Sequence, residues 1–416
     1  MKGTYDMKRI AVIGAGPAGL IAGGFAKTDD TRVTVFDRNE KAGKKLFLTG
    51  KGRCNITNDA PRDEFMQNIP RNPRFLYSAF DGFFNYDIIE LIEAQGVPTK
   101  VERGGRVFPQ SDKSSDVIKA LVRFAEGRGA EIRLHSRVRA VEKTGEEFKL
   151  SFEDGESARF DSVVIATGGL SYPSTGSTGD GYAFARAFGH TVTETKPSLI
   201  SLVTEETWPR ELAGLSLKNV TLTASRGKKR VYSELGEMLF THTGVSGPLV
   251  LSASTRIADD PAGAKLTIDM KPALDEQTLE ARVMRDLEAN RHKQMKNAVM
   301  GLLPSRMVPI VLELAGIDPE KTTDSFTKAE RKNLVFTLKN IPLTVKAASP
   351  IEEAIITRGG VSVKEIDPKT MESKLVPGLY FAGEVIDADA YTGGFNLQIA
   401  YSTGAAAGRA ASGLNQ

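Results

Sequence analysis

The chain of 416 residues holds a single cysteine, Cys54. Neither an intrachain disulfide nor a thiol pair for dithiol redox chemistry can form from it. No run of about 18 apolar residues occurs, which excludes a membrane-spanning helix. The opening MKGTYDMKR lacks the apolar core of a secretory signal and Met7 serves equally well as a start. Residues 1–6 therefore read as a disordered, tag-like extension, and the cytoplasm is the expected location. Charge of either sign is not in excess: the net charge is +3 and Lys and Arg are scattered, so no nucleic-acid or membrane partner follows. No cluster of metal-ligand type stands out, and the only histidine of the segment 275–339 is His292, in a charged run. What remains is an ordinary globular composition, 40% hydrophobic and 26% charged, at a length that suggests two or three domains.

The most informative stretch is IAVIGAGPAG, Ile10 to Gly19. An apolar strand-like run ends at Gly14, and Gly14, Gly16 and Gly19 complete a G-x-G-x-x-G before Leu20, Ile21, Ala22 and Phe25 continue at helical spacing. In such a turn the first glycine permits the reversal, the second lets backbone approach a pyrophosphate, and the third lets helix pack on strand. The helix N-terminus offers unpaired N–H groups to phosphate. A second strand-like run, Arg32 to Phe36, ends at Asp37, close to the distance at which an acid accepts from ribose hydroxyls. The pattern points to a dinucleotide site. No second fingerprint lies between Pro197 and Pro350, so a separate nicotinamide domain is not expected.

Arg38 to Asn58 is polar, basic and punctuated by glycine, and reads as a ligand-shaped loop rather than a regular element. Amphipathic helices are expected within Pro70–Gly96, a strand pair around Thr99–Phe108, and a helix after the candidate caps Ser114, Ser115 and Asp116. Alternating strands with a hairpin turn at Asp154-Gly155 lead to the apolar strand Val163–Ala166 and the small-residue turn Thr167-Gly168-Gly169. Asp180 reads as the N-cap of the helix that follows. From about Pro197 short strands suggest a small β domain with a hairpin tip at Arg226–Lys229. Residues 275 to about 339 read as helical, with candidate caps at Asp275 and Ser305 and a capping box at Thr327 and Glu330. Near the C-terminus the strand Leu379–Ala382 ends at Gly383-Glu384, and a small-residue helix begins near Gln398.

Taken together, GAGPAG at 14–19, GKKLFLTGKGRCNITN at 43–58, GRVFP at 105–109, ATGGLSYPSTGSTGDGY at 166–182, THTGVSGP at 241–248 and GLYFAGEVIDADAYTGGFNLQIAYSTG at 378–404 resemble the BaiN-type, aminoacetone-oxidase-like NAD(P)/FAD-dependent oxidoreductases of bacteria. The segments at 43–58, 241–248 and 378–404 are specific to that family. The resemblance implies an α/β architecture: a discontinuous Rossmann-like FAD-binding domain (1–194 and 355–416), an inserted β-barrel-like domain (195–274 and 340–354) and a helical subdomain (275–339). It implies FAD contacts at Gly14, Ala15, Gly16, Pro17 and Ala18 for the pyrophosphate, with Gly19 closing the motif, and at Asp37 and Arg38 for the adenosine ribose. Lys44, Lys45, Gly52, Arg53, Cys54 and Asn55 would lie along the flavin, Val138 at the adenine, and Ala166, Thr167 and Gly168 at the turn. Gly383, Glu384, Asp389, Gly393, Gly394, Asn396 and Gln398 would surround the ribityl chain and ring. Ala390-Tyr391 departs from the family pattern beside Asp389.

Three activities fit this resemblance. The first is hydride transfer from a transiently bound NAD(P)H through flavin N5 to a small organic acceptor of the enone type. The second is oxidation of a small amine such as aminoacetone with oxygen as acceptor. The third is an RNA-associated protein with a structural flavin, which the scattered basic residues favour least. His242, between small residues, is the candidate proton donor, although a histidine merely held in a turn reads equally well. Cys54 reads foremost as a small buried hydrophobe. No oligomeric state follows.

Overall fold

The computed structural model describes residues 7–413, so the expectation for residues 1–6 lies outside the described residues. The chain divides into two compact units, Met1–Pro197 with Ile351–Gln416, and Ser198–Pro350.

The first unit is built on a five-stranded parallel sheet in the order Leu379–Phe381, Ser162–Ile165, β1 (Lys8–Ile13), β2 (Thr31–Phe36) and Glu131–Arg133. Strands of such a sheet are covered on both faces, which is why they read as unbroken apolar runs. All of Ser162–Ile165 and Leu379–Phe381 and the last four residues of β1 are buried. Helix α1 (Pro17–Ala26) carries the chain from β1 to β2. A three-stranded antiparallel meander, Val138–Thr144, Glu147–Phe152 and Ser157–Phe160, carries it on to Ser162–Ile165. The meander is tied to the sheet by Phe36, whose ring centroid lies 4.9 Å from that of Phe152 and 5.7 Å from that of Phe160. The turn at Asp154-Gly155 forms as expected, with the Asp154 carboxylate accepting from the Glu156 amide at 2.9 Å.

The C-terminal helix Phe395–Ser412 packs on α1 through small residues. A Cβ on Gly404 would lie 2.4 Å from the Ala18 carbonyl oxygen, and one on Gly408 2.4 Å from that of Ala22. The two backbones approach so closely that no side chain fits between them.

The second unit is a closed six-stranded barrel, in the order Leu202–Thr204, Gly244–Ser246, Lys229–Phe240, Ser216–Arg226, Lys265–Asp269 and Ile341–Ala348. Four helices, Glu276–Ala289, Met295–Ala298, Val308–Leu314 and Lys328–Lys339, fall between the last two strands. They share one hydrophobic core with the barrel, in which Leu279, Val283, Leu334 and Leu338 join Ile268 and Ile341. Asp275 caps its helix by accepting from the Thr278 amide, and Thr327 with Glu330 forms the expected capping box.

Local expectations fail in four places. The segment 38–58 is not a continuous loop: it holds a short helix, Lys44–Leu48, a single 3-10 turn, Thr49–Gly52, and a two-residue strand, Thr57–Asn58, paired with Arg106–Pro109. Leu46 is buried there and supplies the apolar anchor that the basic composition concealed. Ser114 to Asp116 form the first turn of the helix Ser114–Arg128 rather than its cap, and the Ser114 hydroxyl donates to the Phe47 carbonyl. Asp180 is the first helical residue, with Gly179 at the cap, because its carboxylate is drawn to Arg38 and Arg137. Ser305 opens a 3-10 turn with Pro304 at its cap, and its side chain accepts no capping bond. Among the described residues no helix is long and apolar enough to cross a membrane.

Two stability tests follow. Gly404→Val forces a side chain onto the Ala18 carbonyl and is expected to cost about 1–3 kcal/mol, read from the urea midpoint. His190 has a side chain with no exposure, Nε2 at 2.7 Å from Ser373 Oγ and Nδ1 at 3.3 Å from Glu365. Burial holds its pKa below the ordinary imidazole value despite Glu365. Above roughly pH 6.5 the ring is neutral in both states; below it the unfolded chain takes up a proton that the folded chain resists, so stability falls as the pH is lowered. A thermal midpoint lower at pH 5.5 than at 7.5, with the difference reduced in His190→Gln, is the expected result.

Candidate cofactor site

The G-x-G-x-x-G loop sits at the C-terminal end of β1, the side of a parallel sheet where ligands bind. Its three glycines meet three different constraints. Gly14 has φ 110°, and a Cβ on it would lie 2.3 Å from the Ala166 carbonyl oxygen. A Cβ on Gly19 would lie 1.8 Å from the Gly14 carbonyl oxygen, so α1 starts directly on the turn. A Cβ on Gly16 would meet nothing within 4 Å. The second glycine therefore faces open space, as a backbone reserved for a ligand does. Gly16 is also the N-cap of α1, with Pro17 at the first turn, no side-chain cap and no acidic residue in that turn. Pro17 and Ala18 thus open a helix end whose positive pole is left for an anion.

Asp37 ends β2 beside this loop. Its Oδ2 accepts from the Ala15 amide at 2.7 Å, and its Oδ1 from the Asn39 amide and side chain at 2.8 and 2.9 Å. A carboxylate has about four acceptor positions, so capacity for one further donor remains. Arg38 points instead to Thr178 Oγ1 at 2.6 Å and Asp180 at 3.4 Å. Val138, 4% exposed, opens the first meander strand.

A polar knot joins four segments of the chain. Lys45 Nζ lies 2.6 Å from Glu384 Oε2 and 2.7 Å from Ser171 Oγ. Glu384 Oε1 accepts from Ser171 Oγ at 2.9 Å and from the Thr357 amide at 2.8 Å. The turn residues beside it include Thr167, whose Oγ1 is buried without a partner, and Gly168, at φ 74° against Ser177. Asn55 Oδ1 is likewise buried without a partner. Leaving a buried polar atom unpaired costs about 1–3 kcal/mol, and both of these belong to residues expected to meet the cofactor. Gly52, at φ 84°, also borders open space.

Other expected residues are held elsewhere. Lys44 pairs with Glu40 at 3.2 Å. Arg53 is engaged by Glu102 and, at 2.7 Å, by Asp112, and lies 4.2 Å over the Phe108 ring. Cys54 is fully buried at φ 60°, and burial pushes its thiol up to about 12, so it packs as a small hydrophobe and supplies no thiolate at neutral pH. The Gly383 amide donates to Thr403 Oγ1. Gly393 and Gly394 pack against Asn58 and Thr57, and Asp389 is 2% exposed in a bridge to Arg71. Asn396 pins the Ala390 backbone from both sides, accepting from its N–H and donating to its carbonyl. Gln398, fully buried, accepts from Thr57 and donates to Ser402. His242 is exposed at the turn between Lys229–Phe240 and Gly244–Ser246 of the second unit.

The structure adds residues that the sequence did not single out. Ser171 lies inside a quoted segment, whereas Thr357 belongs to one that carried no signal. Tyr182, 3% exposed, has a hydroxyl without a partner, and burial, then the Glu384 and Asp387 carboxylates, push its pKa up and keep it neutral. Asp387, 4% exposed, is held by Arg71, with Nη2 2.8 Å from Oδ2. Among the described residues no group of metal-ligating side chains is present.

A parallel sheet with a meander crossover, an open glycine at an uncapped helix start and unpaired polar atoms at the neighbouring turns together define a dinucleotide-binding protein of the Rossmann type. The chain belongs to the HI0933-like protein family, whose Rossmann domain it matches over residues 8–410, and is thereby an FAD-dependent oxidoreductase. It is 31% identical over 410 residues to a 3-dehydro-bile acid delta(4,6)-reductase of Clostridium scindens, covering 97% of this chain and 99% of that one. It is 33% identical over 397 residues to a ribosomal RNA dihydrouridine synthase of Haemophilus influenzae, covering 94% and 95%. It shares a fold with the 3-ketosteroid delta1-dehydrogenase of Sterolibacterium denitrificans, at a TM-score of 0.54 and 14% identity over 99% of this chain and 100% of that one.

Thr167→Val tests the turn. If its hydroxyl serves the cofactor, FAD binding weakens about 3–10-fold, the value of one hydrogen bond, while the cofactor-free protein unfolds at an unchanged or higher temperature. Equal FAD affinity in the two proteins would remove Thr167 from the site.

Proposed function

We propose that the chain reduces a carbon–carbon double bond conjugated to a carbonyl group, with NAD(P)H as the electron source. The observation that carries this reading is the pair of relatives above, each matched over more than nine-tenths of its length. A delta(4,6)-reductase of a 3-dehydro bile acid and a dihydrouridine synthase both saturate an alkene in conjugation with a carbonyl. In the net change a hydride adds to the β carbon and a proton to the α carbon, the π bond is lost, and NAD(P)H is oxidised. When bound, FAD supplies hydride transfer at N5.

The residues of this chain prepare that chemistry. The uncapped start of α1, with Gly14, Ala15, Gly16, Pro17, Ala18 and Gly19, would hold the pyrophosphate, and Asp37 would accept from the ribose. Thr167 and Asn55 offer their unpaired oxygens to the cofactor. Lys45, fixed by Glu384 and Ser171, would offer the cofactor a charged N–H donor held in one place. His242 is the candidate proton donor; His242→Gln that leaves flavin content and turnover intact would discard it.

A small enone is the acceptor in the primary reading. A uracil ring within RNA is the second, favoured by the 33% identity to ribosomal RNA dihydrouridine synthases of two organisms, Haemophilus influenzae and Escherichia coli.

The test is anaerobic. Added NADPH or NADH is expected to bleach the long-wavelength flavin band, and a 3-oxo-Δ4 steroid or a uridine-containing RNA to restore it, with one hydrogen added at each former alkene carbon. Bleaching by aminoacetone alone, reversed by oxygen, would overturn the proposal in favour of an amine oxidase.

A further inference from the structure

The longest hairpin of the barrel, Ser216–Arg226 with Lys229–Phe240, ends in the sequence Arg226-Gly227-Lys228-Lys229-Arg230. Four of these five positions are cationic, and Lys228, Lys229 and Arg230 are exposed. The register sets Arg226 directly opposite Lys229, and Ser225 between Arg230 on one side and Lys265 on the other. Register thus adds Lys265 to a run of cations that is already contiguous in the sequence. Like charges directly opposite one another destabilise a strand pair. Only Arg226 is relieved, by Asp260 at 2.7 Å, and Lys265 donates to Thr344 Oγ1 at 2.8 Å. Among the described residues Lys228, Lys229 and Arg230 have no ion-pair partner.

The tip is carried by a firm base. Leu222, Ala224, Tyr232, Met238 and Phe240 alternate into the core below it, so the cations are presented by a braced ribbon. Residues 226–230 include no aromatic or large apolar side chain. That composition suits phosphate groups spaced along a backbone and offers no aromatic ring to stack on a base and no apolar group to insert among lipid chains.

We infer that the tip Arg226–Arg230 is a phosphate-binding surface for RNA, which positions the nucleic acid on this protein without reading its sequence. The inference rests on the second reading of the function, in which uracil in RNA is the acceptor, and gives that reading a contact surface. Each cation that neutralises a phosphate releases counterions, so binding through the tip must weaken steeply with salt.

The experiment uses the full-length, FAD-loaded protein and a fluorescently labelled RNA stem–loop with uridines in its loop, with anisotropy measured from low to high salt. The comparison is K228S/K229S/R230S, three exposed positions outside the hydrophobic core. The variant is expected to bind the RNA at least about 10-fold more weakly at low salt and to lose about 2–3 from the log–log salt slope, with flavin content, thermal midpoint and reduction of a small enone unchanged. Equal affinity and slope in the two proteins overturn the inference, as does binding of the unsubstituted protein to anionic phosphatidylserine vesicles but not to the RNA. Uridine reduction without dependence on the tip would refute the surface and leave the function standing. Tip-dependent binding without uridine reduction would support the surface and refute the function.

Discussion

The constraint on which the first unit depends is the near-contact of backbones around Gly14. The Ala166 carbonyl, the Gly14 turn and the first turn of α1 at Gly19 occupy a space in which a single added Cβ would overlap a carbonyl oxygen at 2.3 Å or less. Because α1 begins there, its positive end lies at the C-terminal end of β1, beside the open space at Gly16. On its other flank α1 is met by Gly404 and Gly408 of the C-terminal helix at similar distances. The cofactor site is thus shaped by what the chain leaves out, and polar side chains are added only at its margins.

Those margins explain the division of labour among the charged residues. Lys45 and Glu384 form a partly buried pair that Ser171 and Thr357 complete, whereas Arg53 and Lys44 are neutralised locally by Asp112 and Glu40. An ion pair in a low-dielectric setting repays its desolvation only with further hydrogen bonds. Glu384 has such bonds at both oxygens, so its charge is fixed in place rather than left mobile.

Much of the architecture is legible in the residues themselves. The continuous apolar run of β1, the glycine spacing after it and the alternation of the barrel strands each follow from local geometry, and the capping box at Thr327 and Glu330 formed as written. The candidate site was legible where glycine or a short motif marks it, and hidden where two distant segments meet. Lys45 and Glu384 are 339 residues apart, and no periodicity links them. Asp180 looked like a cap because its neighbours supply a helix start; its actual partners, Arg38 and Arg137, come from other elements. Gln398 and Asn396 resembled ligand contacts, yet their amides are engaged by Thr57, Ser402 and Ala390.

The closing of the first unit by Leu379–Phe381 and Phe395–Ser412 has a consequence for synthesis. An edge strand of the parallel sheet and the helix that covers α1 leave the ribosome only after the whole barrel unit. The barrel unit, being continuous from Ser198 to Pro350, has its whole complement of strands much earlier. Domains fold as units during translation once their residues are available. The order of assembly therefore runs against the order of the chain: the barrel is complete while β1 and α1 still wait for Leu379–Phe381 and Phe395–Ser412, and removal of that helix leaves a face of α1 uncovered.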